Sequence, residues 1–432
     1  MRRRDIPKIL FAATTASQVQ ATTGKTEAHN CTPSHTRTEA EVSAGITPTH
    51  YEFSATNGVD VRRYMSSAQL QDFNKVNYTK CTGTDHCHDG TPTPTVDQSS
   101  ALRAALKVCS AMTHWAPLIV PGKLYVTSTL MIDRHVDKMG SEFIIQGAGP
   151  QAGFYTDGNV TIFDSTLTCT TTPVSEFITF KDIRFETSSV FNASYVMSQA
   201  FLRVKFINCF FFIIRCLNAR IYAQTWHFTS CNIRFTANPF LYAPGCYDIS
   251  FIDNIIEGGN TLLKVDNDDN SGRGASGVRV IDNVIEGLQS STLELTGCAG
   301  LYVVGNHIES NPAADIKLSA GKHELANHSV VLAGNYVFNP NGAWVYYGRT
   351  TTAVSVGNTV TKGDSHTRNA GLLHSNATQV NTLSSIGDSA DGGVADAKIA
   401  GTSGAAILAN DIRGQQCSTP RGPGDVRSTG AK

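Results

Sequence analysis

The stretch NIIE at residues 254–257 returns as NVIE at 283–286 and as NHIE at 306–309, each time after a run rich in β-branched residues. Further copies of the pattern begin at Asn208, Asn335 and Asn358, with weaker copies at Lys181, Cys231, Asn381 and Asn410. A repeat of about 20–50 residues is typical of solenoids and propellers, and its alternation of apolar and polar residues favours strands over helices. The repeat predicts an all-β fold, a single-stranded parallel β-helix of about ten coils.

The recurring asparagine is predicted to lie at the bend between two strands of each coil. A sharp bend often needs a left-handed backbone, which Asn tolerates better than most residues. Neighbouring coils lie about 4.8 Å apart, so each amide can bond to the asparagine of the next coil. We therefore expect an asparagine ladder inside the solenoid.

Composition limits the classes of partner. The chain has 432 residues, of which 41% are apolar and 16% charged, and its net charge is −1. The length suits one large domain or two ordinary ones. A chain without a basic surplus is not expected to bind nucleic acid or anionic membranes. No run of about 18 apolar residues occurs, so no membrane span is predicted.

The two ends of the chain are predicted to lie outside the β-helix domain, which we place at residues 59–414. Residues 1–21 combine three arginines, a short apolar run and a small-residue cleavage site, and they predict an export signal similar to a bacterial twin-arginine signal. The protein would then be secreted or periplasmic; the other interpretation is a basic start on a chain that is not exported. Residues 22–58 predict a flexible arm and residues 415–432 a disordered tail.

Cysteines occur in two settings. A polar insert at residues 65–95 contains Cys81 and Cys87 close to two histidines and two aspartates. Three interpretations of this segment stay open: a disulfide, a metal site, or neither. The spacing of the two cysteines is not a standard zinc motif. Cys209 and Cys231 lie about one coil apart and are predicted to stack as buried apolar side chains without forming a bridge.

One helix is predicted at residues 97–112. Asp97 can cap it, and its apolar face contains Ala101, Leu102, Ala105, Leu106 and Cys109. A solenoid needs its open apolar end covered, so we expect this helix to cap the core at the N-terminal end. Strands at residues 118–126, interrupted by a Pro-Gly turn, and at 143–147 are predicted to follow.

This order of elements resembles the opening of pectate-lyase-superfamily proteins, on the helix, LIVPGKLYVTSTLMI from Leu118 and IIQGAG from Ile144. The resemblance spans about residues 59–361, with VRRY from Val61 similar to a first strand. It implies a right-handed parallel β-helix of the kind found in secreted bacterial polysaccharide-acting enzymes and phage tailspikes, with a polysaccharide partner. A tailspike-like protein would imply a trimer. Motifs of polygalacturonases and classical pectate lyases are missing, so the resemblance does not specify an activity.

The residue three positions after each bend predicts an outward column of side chains that contains three glutamates. Its members are Arg184, Phe211, Arg234, Glu257, Glu286, Glu309, Phe338 and Thr361. Carboxylates stacked about 4.8 Å apart repel one another, which raises at least one pKa and separates an acid from a base. Glu286, the middle one, is the candidate proton donor, with Glu257 or Glu309 as base or nucleophile. The other interpretation is a solvated column without catalytic function.

Four further residues are candidates for substrate binding. Arg234 would bind an acidic group on the sugar, and His307 lies in the same stretch as the glutamates. Asp268 and Asp269 lie in the longer step between residues 254 and 283 and would form a loop beside them. That loop could supply an acid, a sugar-binding carboxylate or a ligand for Ca²⁺, or it could be a solvated acidic turn. No metal site is assigned, and no other cofactor is expected.

Two functions from different classes follow. One is a glycoside hydrolase or polysaccharide lyase that acts on an acidic or capsular glycan. The other is a non-catalytic glycan-binding β-helix, such as an adhesin or a tailspike-like shaft. A long wall with repeated polar groups suits a chain-like ligand in both cases. The sequence does not name the glycan or the oligomeric state.

Overall fold

The protein is a parallel β-helix, shown here by a computed structural model. The described residues are 35–55, 57–78, 94–111, 114–133, 142–149, 151–158, 160–165, 175–187, 195–198, 201–213, 217–218, 223–235, 239–266, 274–309, 314–320, 326–338, 343–361, 374–375, 379–391 and 406–410. The chain passes repeatedly from a strand of sheet 1 to one of sheet 2 and then one of sheet 3. Strands pair in parallel, as Cys246–Ile252 does with Ala275–Ile281. The predicted all-β parallel β-helix is confirmed.

The three sheets contain 13, 11 and 10 strands among the described residues. Sheet 1 consists of Val59–Asp60, Leu118–Val120, Phe143–Gly147, Ser175–Lys181, Phe201–Ile207, Ala223–Thr229, Cys246–Ile252, Ala275–Ile281, Ala299–Val304, His328–Ala333, Thr350–Val356, Val380–Ile386 and Ala406–Asn410. Sheet 2 consists of Lys123–Tyr125, Gly153–Thr156, Arg184–Thr187, Phe210–Ile213, Asn232–Phe235, Ile255–Glu257, Val284–Glu286, His307–Glu309, Tyr336–Phe338, Thr359–Thr361 and Ser389–Asp391. Sheet 3 consists of Leu130–Met131, Thr161–Asp164, Tyr195–Ser198, Leu217–Asn218, Pro239–Ala243, Thr261–Val265, Ser291–Thr296, Ala314–Ser319, Ala343–Tyr347 and His374–Ser375. Because these counts differ, the predicted number of about ten coils stays a prediction.

The asparagine ladder lies at the bend from sheet 1 to sheet 2. Nδ2 of Asn254 donates to Oδ1 of Asn283 at 2.8 Å, and Asn283, Asn306 and Asn335 each donate to the next asparagine at 2.8–2.9 Å. The backbone N–H of each of these four residues donates to the same oxygen at 2.9–3.0 Å. These asparagines are about 1% exposed. The amides therefore satisfy polar groups that burial would otherwise leave unpaired.

Two details of the predicted bend are wrong. The left-handed residue is not the ladder asparagine but the residue before it, for example Asp253 at φ 57° and Asp282 at φ 55°. The bend also begins elsewhere in the outer copies, because Phe210 pairs with Asn232 and Asn232 pairs with Ile255. The structural equivalents of Asn254 are therefore Ile183, Cys209, Cys231 and, beyond Asn358, Asp388; Asn208 precedes the bend position, and Asn381 and Asn410 lie inside strands of sheet 1.

Cysteines take the place of the ladder amide in the earlier coils. The thiols of Cys209 and Cys231 are free and buried, and they contact the carbonyl oxygens of Phe180 and Phe206 at 3.4 Å. Nδ2 of Asn254 donates to the equivalent carbonyl, that of Phe228, at 3.1 Å. The prediction that the two cysteines stack without a bridge is confirmed.

The predicted helix at residues 97–112 is present as Ser99–Ala111. Asp97 accepts a hydrogen bond from the N–H of Ser99 at 2.9 Å, and Leu102 and Val108 are fully buried. The helix packs against the first strands of sheets 1 and 3. Its function as a lid over the core stays a prediction.

Other parts of the N-terminal region differ from expectation. Val61–Tyr64 is a 3₁₀ helix following the strand Val59–Asp60, whereas a strand was predicted. Helix Ser67–Tyr78 lies in the predicted polar insert, and helix Glu39–Ala44 lies in the predicted flexible arm. Helix Glu39–Ala44 begins with a capping box formed by Thr38 and Glu41, and Glu41 also pairs with the fully buried Arg63 at 2.6 Å.

Several predictions fall outside the described residues. They concern the export signal at residues 1–21, the Cys81–Cys87 segment and the tail at residues 415–432. The domain boundaries at residues 59 and 414 stay predictions. Within the described part of the chain, no helix has the length and apolar character needed to cross a bilayer.

Candidate functional site

The three candidate glutamates occupy equivalent positions on neighbouring strands of sheet 2. Glu257 pairs in register with Glu286, and Glu286 with Glu309. The preceding residues Ile256 and Ile308 are fully buried, so alternation directs the glutamates away from the core. We call Arg234, Glu257, Glu286, His307 and Glu309 the glutamate face. Its catalytic function stays a prediction.

The two outer glutamates are each held by a cationic or potentially cationic side chain. Nε of Arg234 lies 2.8 Å from Oε2 of Glu257, and its NH2 donates to Oε1 at 3.1 Å. Nε2 of His307 lies 2.9 Å from Oε1 of Glu309. Within the described part of the chain, the Glu286 side chain has no hydrogen bond or ion pair. The middle carboxylate is therefore the one left available to a ligand.

The outer ion pairs are exposed enough to exchange partners. Arg234 and Glu257 are 48% and 34% exposed at their side chains, and His307 and Glu309 are 39% and 45% exposed. Exposed pairs of this kind contribute about 0–1 kcal/mol to stability. A charged ligand group could therefore replace Glu257 on Arg234 at low cost.

Apolar side chains flank the charged positions. Phe212 pairs in register with Arg234 and is 49% exposed. Ile255 is 47% exposed, and the ring of Tyr336 stacks on that of His307 with centroids 5.2 Å apart. The glutamate face thus combines carboxylates with apolar surface.

The column of sequence positions needs correction at its start. Phe212, not Phe211, pairs with Arg234, and Phe211 is fully buried. Glu186, not Arg184, precedes Phe212 in the column. The error arose because the bend was counted from Asn208 and Lys181, one and two residues before the true positions.

Two predicted substrate-binding residues, Asp268 and Asp269, lie outside the described residues. The Ca²⁺ expectation depended on that loop, so it also stays a prediction. In the part of the chain that is described, no group of three or more His, Cys, Asp or Glu side chains is arranged to hold a metal ion.

The sequence did not indicate a cleft of about 420 Å³ that lies at the bend between sheets 1 and 2. It is lined by Gly147, Gly149, Asp182, Ile183, Arg184, Asn208 and Phe210, which we call the bend cleft. Its residues come from three successive coils. The sequence does contain glycines at one turn, Gly147 and Gly149, and polar residues at the next two bends, Asp182 and Asn208. They could be placed side by side only after the strand register was known.

A second unpredicted cluster lies on sheet 1. Oδ2 of Asp248 lies 3.3 Å from Nε2 of His227, and the other carboxylate oxygen contacts Arg279. Tyr247 and Tyr302 beside it are 51% and 42% exposed. Strand pairing brings this cluster together, because successive members are more than 20 positions apart in sequence: His227, Asp248, Arg279 and Tyr302.

No protein-family model and no curated protein sequence matches the chain. Three similar solved structures are the surface protein and adhesin PfbA of Streptococcus pneumoniae, the tailspike protein of E. coli bacteriophage HK620, and the catalytic unit of a GH87 alpha-1,3-glucanase from Streptomyces thermodiastaticus. Their identities are 8%, 12% and 12%, and their TM-scores 0.42, 0.40 and 0.35. They cover 74%, 74% and 79% of this chain and 95%, 69% and 70% of their own. The evidence for the parallel β-helix in this chain is its own parallel strand pairing and sheet order.

Proposed function

We propose that this chain is a polysaccharide-active protein whose glutamate face binds and cleaves a glycan chain. The observation that carries the proposal is the position of Glu286, which is exposed and unpaired within the described residues, between two glutamates that are each ion-paired. Paired carboxylates in different environments are what acid–base cleavage of a glycosidic bond requires.

The roles follow from those environments. Glu286 donates a proton to the leaving oxygen, and Glu257 or Glu309 acts as base or nucleophile. Carboxyls on adjacent strands start about 4.8 Å apart, close to the separation for retention, and those on alternate strands start about 9.6 Å apart, near the upper limit for inversion. Arg234 turns from Glu257 to an acidic group on the sugar, and His307 holds Glu309. If elimination replaces hydrolysis, the same base removes a proton from the sugar ring.

The proposal extends to the setting of the protein. A glycan substrate outside the cell suits the export signal predicted at residues 1–21, and Asp268 and Asp269 would approach the glycan from their loop. Calcium would act there if the loop binds it. Tailspike-like assembly as a trimer remains part of the same proposal.

A panel of polysaccharides tests the activity, read by reducing ends and by absorbance near 235 nm. Hydrolysis releases reducing ends alone, whereas elimination also creates an absorbing double bond. Glu286→Gln should lower the rate by about 10² or more, as expected for loss of a general acid. Its unfolding midpoint should stay unchanged, because the side chain is exposed.

Glu294→Gln is the matched control, because Glu294 pairs with Lys317 at 3.1 Å on sheet 3, away from the glutamate face. It should keep full activity. If the Gln variants of Glu257, Glu286 and Glu309 all keep full activity on a cleaved substrate, the assignment fails.

The second candidate function is glycan binding without cleavage. It is favoured by the ion pairs of Glu257 and Glu309, which occupy groups that a catalyst would need free. Retention of a polysaccharide by the intact protein, with no new ends over long incubation, would support the binder over the enzyme.

A further inference from the structure

The bend cleft lies on the same side of the solenoid as the glutamate face, in earlier coils. Arg184 and Phe210 begin two neighbouring strands of sheet 2, and the strand of Glu286 follows three strands after that of Phe210. Strand spacing puts the cleft about 14–19 Å from Glu286 along the axis. A chain-like ligand could therefore contact both.

The cleft is shaped by two glycines. A Cβ at Gly147 would lie 2.0 Å from the carbonyl oxygen of Asp182, so no other residue fits there without a shift. A Cβ at Gly149 would meet nothing within 4 Å, so this glycine borders open space. The volume of about 420 Å³ lies in the lower part of the range for small-molecule sites. It suits one or two sugar rings.

Two polar side chains in the cleft are held on left-handed backbone. Asp182 has φ 57° and Asn208 has φ 51°; Ser230, Asp253 and Asp282 have the same conformation at the next three bends, and glycine takes the position from Gly305 onward. Left-handed backbone costs a residue with a side chain more than glycine, although Asp and Asn tolerate it best. Strained residues of this kind are concentrated at functional sites.

One hydrogen bond joins the two polar side chains and leaves an acceptor oxygen on each of them. Nδ2 of Asn208 donates to Oδ1 of Asp182 at 2.7 Å. Within the described residues, Oδ2 of Asp182 and Oδ1 of Asn208 have no further partner. A carboxylate beside an amide is suited to a pair of hydroxyl groups, which can donate to both oxygens.

The charges of the cleft and the residues behind it cancel. Arg184 bonds through Nε and NH2 to Oε1 of Glu186 at 2.8 Å, and Nζ of Lys123 lies 2.6 Å from Oε2. With Asp182, these four groups have two positive and two negative charges. The guanidinium carbon of Arg184 also lies 4.1 Å from the ring centroid of Phe210. The cations are thus already neutralised, and an anionic sugar would meet the carboxylate of Asp182.

We propose that the bend cleft is a subsite for an uncharged sugar unit, bound through its hydroxyls by Asp182 and Asn208 with its apolar face near Phe210. The proposal rests on the proposed glycan function but not on cleavage at Glu286. It also narrows the ligand, because the unit bound here is neutral even where Arg234 binds an acidic one.

Calorimetric titration of the intact chain carrying Glu286→Gln tests the subsite, since this background binds without turnover. The probes are maltohexaose, cellohexaose, laminarihexaose, mannohexaose and chitohexaose, with hexagalacturonate as the charged comparison. At least one uncharged probe should bind, and Asp182→Gly should weaken its binding more than it weakens the binding of hexagalacturonate. For the uncharged probe the binding should weaken about tenfold or more, the loss expected for a hydrogen bond to a charged group. Asn208→Gly should also weaken the binding of that probe.

Ser329→Gly is the matched control, because Ser329 also has a left-handed backbone, at φ 57°, but lies on sheet 1 far from the cleft. All three changes to glycine suit the local backbone, so the fold should be retained. The subsite is refuted if no uncharged probe binds, if Asp182→Gly leaves the binding of the uncharged probe unchanged, or if Ser329→Gly weakens that binding as much as Asp182→Gly. Failure of the cleavage assay leaves these readings unaffected, so the two proposals fail separately.

Discussion

Two halves of the solenoid stabilise the bend from sheet 1 to sheet 2 with different side chains. In residues 175–252, the aromatic coils, four phenylalanines stack in the core behind the bend: Phe180, Phe206, Phe228 and Phe251. Their centroids are 5.1, 4.9 and 4.7 Å apart, and their planes are within 8° of parallel. In residues 253–391, the amide coils, Val280, Val303 and Leu332 continue that column, and asparagines form the ladder beside it. The stack ends where the ladder begins.

The difference shows that packing and hydrogen bonding contribute to different degrees to the stability of neighbouring coils in the two halves. In both halves, a side chain at the bend contacts the carbonyl of the core residue one coil earlier. A thiol is a weak donor, whereas an amide both donates and accepts. The aromatic coils bury more apolar surface. The amide coils have smaller core residues, so their stability depends more on buried polar groups whose hydrogen bonds are satisfied.

The largest effect is expected from Asn283→Ala in the amide coils. It removes the oxygen that accepts from both the backbone N–H and Nδ2 of Asn254. Each buried donor left without a partner costs about 1–3 kcal/mol, so the loss in the free energy of unfolding should be about 2–6 kcal/mol. Denaturant unfolding measures it.

Cys231→Ala is the corresponding change in the aromatic coils. It removes one weak thiol contact and a small volume, so the loss should be clearly smaller than for Asn283→Ala. Equal losses would show that the amides add nothing beyond filling space.

Phe228→Ala should lower the free energy of unfolding by about 3–5 kcal/mol, the usual loss for a buried phenylalanine. Phe228 is fully buried and stacks between Phe206 and Phe251. Thermal unfolding followed by near-ultraviolet circular dichroism measures both stability and the aromatic signal. Leu332→Ala is the comparison in the amide coils. If it costs more than Phe228→Ala, the stack is not the main packing element of its half.

Acid should weaken the strand of Glu186 in the aromatic coils more than the strand Val284–Glu286 beside the ladder. Burial alone would raise the pKa of Glu186, but the charges and hydrogen bonds of Lys123 and Arg184 outweigh it and lower the pKa. The stabilisation is therefore present above the ordinary glutamate pKa of 4.5 and is lost as the pH falls below it. Ladder asparagines do not ionise.

Hydrogen exchange at pH 7 and pH 3 distinguishes the halves. Protection factors, which correct for the slower intrinsic exchange in acid, should fall more in strand Arg184–Thr187 than in strand Val284–Glu286. A larger fall in the protection factors of the second strand would contradict the assignment to Glu186.

The sequence predicted the repeat, the sheet-forming pattern and the ladder, because each depends on local spacing. It misplaced the earlier bends, because cysteine in the ladder position removed the asparagine signal and Asn208 lay one residue away. The glutamate face could be predicted from the sequence because its three glutamates repeat at the ladder spacing. The bend cleft was not, because its shape depends on Gly147 approaching Asp182 across coils.

The smallest effect concerns the left-handed residue before each ladder position. The first two amide coils carry Asp253 and Asp282 here and the later ones Gly305, Gly334 and Gly357, while the bends of the aromatic coils carry Asp, Asn or Ser. At Gly334, φ is +62° and an added Cβ would meet nothing within 4 Å, so a substitution there tests backbone strain alone.

Gly334→Ala should therefore cost about 1–2 kcal/mol, the penalty for left-handed backbone, measured as a shift in the denaturant midpoint. Gly334→Asn should cost less, because the asparagine side chain bonds locally and tolerates this conformation. If Asn costs as much as Ala, the left-handed conformation is not what favours Gly over other residues. The left-handed conformation of Asp182 and Asn208 would then no longer support a ligand-binding function of the bend cleft. If Asn is well tolerated, polar side chains at these bends cost little stability, and Asp182 and Asn208 can remain at the cleft to contact a ligand.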